Sequence, residues 1–161
     1  MKHWIIIILI GVSSCTQNQD IHTIENFINT YFTIENPETR LHNMVYIHYD
    51  KDQYESFTEK EKANSSEFFS MYFTAYHLEL SKNSNQYQLY SHYAIDKERL
   101  KDYKLKYENY DNVYYMVVDN KILTHFILNT DHKIISFCPY ISGSPDNKVE
   151  PVLLTRLRYR K

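Results

Sequence analysis

Past residue 11 the chain holds a single glycine, Gly143. Glycine turns the backbone tightly, or lets it approach a ligand, at little steric cost, so its scarcity limits both turns and chemistry. Phosphate cradles of the P-loop type, the G-x-G-x-x-G fingerprint and the G-x-S-x-G elbow all need glycine at sharp bends. None of them is present. Turns must instead be built on Asn, Asp and Lys, as at Asp119-Asn120-Lys121 and Asn129 to Lys133. With 43% hydrophobic and 24% charged residues, the balance is that of one globular domain rather than a disordered chain.

The N-terminus reads as an address. Met1-Lys2-His3 precedes the apolar run Trp4 to Val12, which ends in Ser13-Ser14-Cys15. A basic start, an apolar core and small residues form the layout of a secretory signal. The run falls short of the roughly 20 apolar residues a membrane span needs. Val12-Ser13-Ser14-Cys15 resembles the lipobox of bacterial lipoprotein signals: an aliphatic residue, two small residues and an obligatory cysteine. That resemblance implies acylation of the Cys15 sulfur, cleavage before Cys15 and a further acyl chain on the new amine. Multiple acyl chains anchor stably where a single chain binds only marginally.

The expected organisation is therefore a cleaved signal over residues 1–14, a lipidated Cys15 with a short polar tether over 15–20, and a single domain over 21–161. Cleavage removes the sole tryptophan, Trp4, and one charged residue, Lys2, which moves the formal net charge from −2 to −3. Cys138 is the only other cysteine, so no intramolecular disulfide is available and the core must hold the domain by itself. A chain of about 150 residues buries roughly 70% of its unfolded surface, which makes that feasible.

Within the domain, Ile21, Ile24, Phe27, Ile28, Tyr31 and Phe32 recur at helical spacing behind Asp20, a favourable N-cap, and predict a helix ending before Asn36. Pro37 can open a second short helix carrying Leu41, Met44, Val45 and His48 on one face. Asp50 to Phe57 reads as a polar connection, and Thr58-Glu59-Lys60-Glu61 has capping-box spacing. Phe68 to Leu80 fits either a helix or an aromatic strand. After the turn Ser81 to Asn85, residues 87–95 alternate as a strand. Asp96 can then cap a helix with Leu100, Tyr103 and Tyr107 on one buried face.

Three β-rich runs, Val113 to Val118, Ile122 to Leu128 and Ile134 to Ile141, are separated by turns and predict an antiparallel meander. Ser142 to Asn147 closes it as a loop, and Val152 to Leu157 is expected to add a last strand. Helices first and a meander last give an α+β class, with N-terminal helices packed on one face of a curved antiparallel sheet in a single domain. That order over residues 21–157 resembles the cystatin-like roll of the nuclear-transport-factor-two-like superfamily. The resemblance implies a cone-shaped cavity between sheet and helices, used for catalysis in some members and for binding or assembly in others.

Candidate chemistry is sparse. Seven histidines (His22, His42, His48, His77, His92, His125 and His132) lack metal-site spacing; His77/Glu79 and His125/His132 come nearest. Asp50-Lys51-Asp52 with Glu61 fails as a calcium loop, because Tyr54 replaces an oxygen ligand and Glu55 takes the glycine position. Cys138, flanked by apolar residues, reads as a small apolar filler before Pro139. No catalytic residue, metal or cofactor is assigned. The sharper signal is a cluster of Tyr103, Tyr107, Tyr110, Tyr114 and Tyr115 interleaved with Lys101, Lys104 and Lys106.

A net negative charge argues against nucleic acid as the partner of that cluster. Exposed tyrosines, apolar in the ring and polar at the tip, suit an envelope protein or a glycan. The basic end (Arg156, Arg158, Arg160, Lys161) reads as a solvated tail or a contact for anionic headgroups. The expectation is a lipid-anchored envelope lipoprotein with a non-enzymatic binding domain at the membrane surface. The alternative is a small cavity enzyme, a hydrolase or isomerase, using buried His, Asp or Tyr.

Overall fold

The structure, a computed structural model, describes residues 2–141 and 148–156, with side chains described for residues 17–140 and 148–155. The Cys15 side chain, the loop Ser142 to Asn147 and the basic end beyond residue 156 lie outside these. Among the described residues no helix is long and apolar enough to cross a membrane.

The first helix, α1 (Lys2–Tyr31), buries Ile24, Phe27, Ile28 and Tyr31 along one stripe. It does not start at Asp20. Residues 16–20, expected as a tether, are helical, and Asp20 lies inside the helix at 5% exposure. Tertiary partners displaced the capping role: both carboxylate oxygens of Asp20 bond side chains 94 and 112 residues away.

The expected helix after Pro37 does not form either. Glu38 accepts hydrogen bonds from the Arg40 N–H (2.8 Å) and the Asn43 amide (3.2 Å), competing with helix formation, and only a 3₁₀ turn, Leu41–Asn43, follows. Leu41, Met44 and Ile47 are buried, while Val45 is exposed. Asp50 accepts from the Gln53 N–H (2.9 Å) and caps a short helix, α2 (Lys51–Glu55), where a loop was expected.

The capping box at Thr58 is formed in both directions and starts α3 (Glu59–Lys82). The ambiguous stretch is thus helical. Phe69, Phe73, Tyr76 and Leu80 supply its buried stripe. Left-handed Ser84 and Asn85 then turn the chain into β1 (Gln88–Ser91). Asp96 caps α4 (Lys97–Asp102), which stops at Tyr103, so the buried face expected to run through Tyr107 is shorter.

The remaining strands are β2 (Lys104–Leu105), β3 (Val113–Val118), β4 (Lys121–Leu128), β5 (Ile134–Ser136), β6 (Pro139–Ile141) and β7 (Lys148–Pro151). The meander β3-β4-β5 is present and forms an antiparallel sheet in the order β1-β3-β4-β5. Register shifts at Met116/Val117 and Ile127/Leu128 disrupt the ladder locally, the kind of irregularity that bends strands. The chain is thus α+β, with its N-terminal helices on one face of the main sheet.

The other face is covered as well. Tyr114, Met116, Val118, Phe126 and Leu128 point to the helices, where Phe27, Phe32, Phe73 and Phe137 pack ring against ring. Val113, Tyr115, Val117 and Ile127 point away, into a second cluster with Ile95, Leu105 and Val149. A small sheet, β2-β7-β6, carries two of those residues. Aromatic rings fill the space between the helices and the main sheet, where the roll resemblance implies a cavity.

The run Ile134 to Ile141 is two strands, not one. β5 pairs with β4, then the chain crosses at Phe137-Cys138 and β6 pairs with β7 in the small sheet. A crossing through the core leaves backbone carbonyls without ladder partners, and each is satisfied locally. The Phe137 carbonyl accepts from Thr124 Oγ1 (2.7 Å) and Tyr76 Oη (3.4 Å). Tyr72 Oη donates to the Pro139 carbonyl (2.6 Å), and the Val152 N–H to that of Cys138 (3.0 Å). Cys138 itself is fully buried, and burial pushes its thiol up, which suits a core filler. The last expected strand is displaced: β7 lies earlier, and Leu154–Arg156 is a 3₁₀ turn.

Tyr76→Phe keeps the ring and removes the hydroxyl that bonds Thr124 (2.9 Å) as well as Phe137. Urea unfolding should show a loss of about 1–2 kcal/mol. Tyr90→Phe, which removes an exposed bond to Gln88, should stay within about 0.5 kcal/mol of the parent.

Candidate functional site

The end of the β3-β4 hairpin remote from its Asp119-Asn120 turn meets α1 and the turn after β1. The antiparallel register sets Val113 opposite Ile127, and the Leu128 N–H bonds the Asn112 carbonyl at 3.1 Å. Asn112 and Asn129 therefore meet across one end of the sheet. Between this end and α1 lies a cleft of about 570 Å³.

Its floor is a three-residue polar cluster. Asp20 Oδ2 accepts from the Tyr114 hydroxyl at 2.8 Å, and Asp20 Oδ1 lies 2.6 Å from His132 Nδ1. A carboxylate oxygen can only accept, so Nδ1 carries the proton and Nε2 remains as the imidazole's second polar atom. Burial, reinforced by the bond to Asp20, drives the Tyr114 phenol well above its ordinary range. His132 sits at φ 56°, a left-handed conformation uncommon for a residue with a Cβ. Asn129 holds that turn: its Oδ1 accepts from the N–H groups of Asp131 (3.1 Å) and Lys133 (2.9 Å).

The rim is built differently. Tyr93 is 73% exposed, yet its hydroxyl donates to Asp111 Oδ1 at 2.9 Å, which positions the ring. Asp111 is placed in turn by the Asn109 side chain, which accepts from the Asp111 N–H at 2.9 Å. Gln17, Ser91 and Thr130 complete the polar lining. Among the described residues no lysine or arginine lines the cleft.

Of the five tyrosines expected to form an exposed binding cluster, only Tyr114 reaches this cleft, and it is buried there at 3% exposure. Tyr115 is fully buried on the opposite face of β3 and bonds His92 Nδ1 at 2.9 Å. Tyr103, Tyr107 and Tyr110 are half-buried in the second cluster, where Tyr110 Oη donates to the Leu105 carbonyl at 2.7 Å. The five tyrosines therefore do not share one surface. Alternation explains the split: neighbours 114 and 115 on a strand must face opposite ways.

His125 and His132 flank a turn but do not meet in one site. His125 is fully buried, its Nδ1 2.7 Å from Tyr103 Oη and its Nε2 3.1 Å from Ser136 Oγ. Burial pushes the imidazole down to about 3, so it is neutral around neutral pH. Neither His125 nor Ser136 lines a described cleft, and both ring nitrogens have partners. The trio is a satisfied core network. His77 bonds the Phe32 carbonyl at 3.1 Å, while Glu79 pairs with Lys82. Among the described residues no three or more His, Cys, Asp or Glu side chains converge as a metal group.

The convergence of Asp20, Tyr93, Asp111 and His132 on one cleft is not legible in the sequence. Asp20 and His132 have no sequence signal, being 112 residues apart. Asn112 and Asn129 did carry one, because the Asp119-Asn120 turn fixes the hairpin register that brings them together.

The buried imidazole makes stability depend on pH. Folded His125 stays neutral down to about 3, whereas the unfolded residue takes up a proton below its ordinary 6.5. Its contribution is thus present above the ordinary value and lost as pH falls through that window. Urea unfolding at pH 5 should show about 2 kcal/mol less stability than at pH 7 from this residue. His125→Gln should flatten most of that difference. No family model matches this chain, and no curated protein or solved structure matches it either.

Proposed function

We propose that the protein is a lipid-anchored lipoprotein of a cell envelope, held to a membrane through acyl chains on Cys15, and that its single α+β domain is a non-enzymatic binding module at that surface. Val12-Ser13-Ser14-Cys15 supports the anchor. The preformed cleft around Asp20, Tyr93, Tyr114 and His132 carries the binding reading. Its groups are already paired with one another, which suits recognition more than reaction.

Continuity of α1 couples the two parts of the proposal. Cys15 and Asp20 lie on the same helix, five residues apart, or about 7.5 Å along its axis. Acyl chains on Cys15 would hold the cleft beside the membrane, with no flexible tether between them. A ligand would then be one presented at the surface.

One observation favours the second reading, a small cavity enzyme. An imidazole held by a buried carboxylate, as His132 is by Asp20, is also the pairing used to orient a general base. That reading requires a turnover that disappears in His132→Ala.

The anchor has a direct test. Expressed in bacteria with a fatty-acid probe, the parent chain should be labelled, and Cys15→Ala should lose the label and remain at precursor length. Retained labelling in Cys15→Ala would refute the lipidated cysteine.

A further inference from the structure

We propose that the cleft between α1 and the open end of the β3-β4 hairpin binds a neutral polyhydroxylated ligand, a short glycan chain. The inference deepens the binding-module reading and rests on it.

The lining restricts the ligand's charge. Two carboxylates, Asp20 and Asp111, face the cleft, and among the described residues no lysine or arginine lines it. A phosphate or carboxylate ligand would meet like charge and lack the cationic fork such groups are normally given. That sets anionic lipids, nucleotides and acidic peptides aside.

The groups present match vicinal hydroxyls instead. Amides from Gln17 and Asn112 offer a donor and an acceptor on one planar group, Asn129 offers its amide N–H donors because its Oδ1 already accepts from Asp131 and Lys133, and Ser91 and Thr130 add hydroxyls able to play either part. A sugar hydroxyl is also both donor and acceptor, so it can donate to a carboxylate and accept from an amide together. A volume of about 570 Å³ lies within the range of small-ligand sites and leaves room for a short oligosaccharide.

Tyr93 supplies the apolar half of the recognition. Its ring is 73% exposed, and its hydroxyl is held by Asp111 at 2.9 Å. The rim thus presents an aromatic face whose orientation is already set by the Asp111 bond. The C–H faces of pyranose rings provide flat, weakly apolar cover, while their equatorial hydroxyls remain free for the polar wall. Little ordering is left for the ligand to impose, because Asp20, Tyr114 and His132 already hold one another.

The test is calorimetric titration of the full chain in a detergent without a sugar headgroup. The probes are maltotetraose, the tetramer of N-acetylglucosamine, and the tetramer of galacturonic acid as an anionic control. At least one neutral tetramer should bind at millimolar or lower concentration, and the anionic tetramer about tenfold more weakly or not at all. Tyr93→Ala should weaken the neutral tetramer about tenfold while leaving thermal unfolding unchanged, since the ring is mostly solvated. Absence of binding by both neutral tetramers, or binding unaltered in Tyr93→Ala, overturns the glycan assignment. If an envelope protein is then retained by the parent chain and lost with Tyr93→Ala, the glycan assignment alone falls. If no protein is retained either, the binding-module reading falls with it.

Discussion

A strand with water on neither side needs apolar or fully satisfied side chains at every position, and Val113-Tyr114-Tyr115-Met116-Val117-Val118 meets that demand. Once β3 sits at the centre of the main sheet, the rest of the chain has to deliver a cover for each face. The long helices α1 and α3 provide one, rich in phenylalanine. The other comes from α4 and the small sheet, richer in tyrosine. Both covers are assembled without a disulfide, since the only described cysteine is free and buried.

Building two covers from one chain forces it to pass from one sheet to the other. The crossing at Phe137-Cys138 does this in the middle of the core, where an unpaired carbonyl would cost about 1–3 kcal/mol. Tyr72 and Tyr76, one turn apart on α3, and Thr124 on β4 bring hydroxyls to that point. Tyrosine is suited to the task because its ring belongs in the core while its hydroxyl reaches a polar group beyond it. Much of the tyrosine abundance is thus architectural. At the other end of the sheet the same residue type does something different: Tyr93 presents its ring to solvent.

How far the sequence could be read depended on whether partners were near or far. Local devices were legible: the Thr58 capping box, the Asp96 cap and the turns at Asp119-Asn120 and Asn129 to Lys133 are all formed. The α+β class followed from them. Asp20 reads as a cap in sequence because the same carboxylate that can close a helix can also accept from Tyr114 and His132, and only the fold supplies those donors. Pro37 opens no helix because Glu38 offers the backbone a competing partner. The β5-β6 run reads as one strand in sequence because alternation does not reveal which neighbour each half pairs with. The tyrosine cluster was compositional, and composition carries no direction; burial on two faces of β3 resolved it into separate roles. His132, which bonds Asp20 at the floor of the cleft, has no local signal for the same reason.

The scarcity of glycine also bears on the state the chain leaves behind when it folds. Asn36, Ser84, Asn85, Asp119, Asn120 and His132 all adopt left-handed backbone angles despite carrying a Cβ. Such positions cost the native state, in the range of about 1–2 kcal/mol for an ordinary residue and less for Asn and Asp. The same substitution restricts the denatured ensemble, where replacing glycine removes about 0.4–1 kcal/mol of conformational freedom per site. The two terms oppose each other, and for a residue that is strained at positive φ the native-state cost is the larger. The packed core must therefore carry a local cost at these turns that the stiffer denatured chain offsets only in part, and the surrounding contacts hold the turns in place.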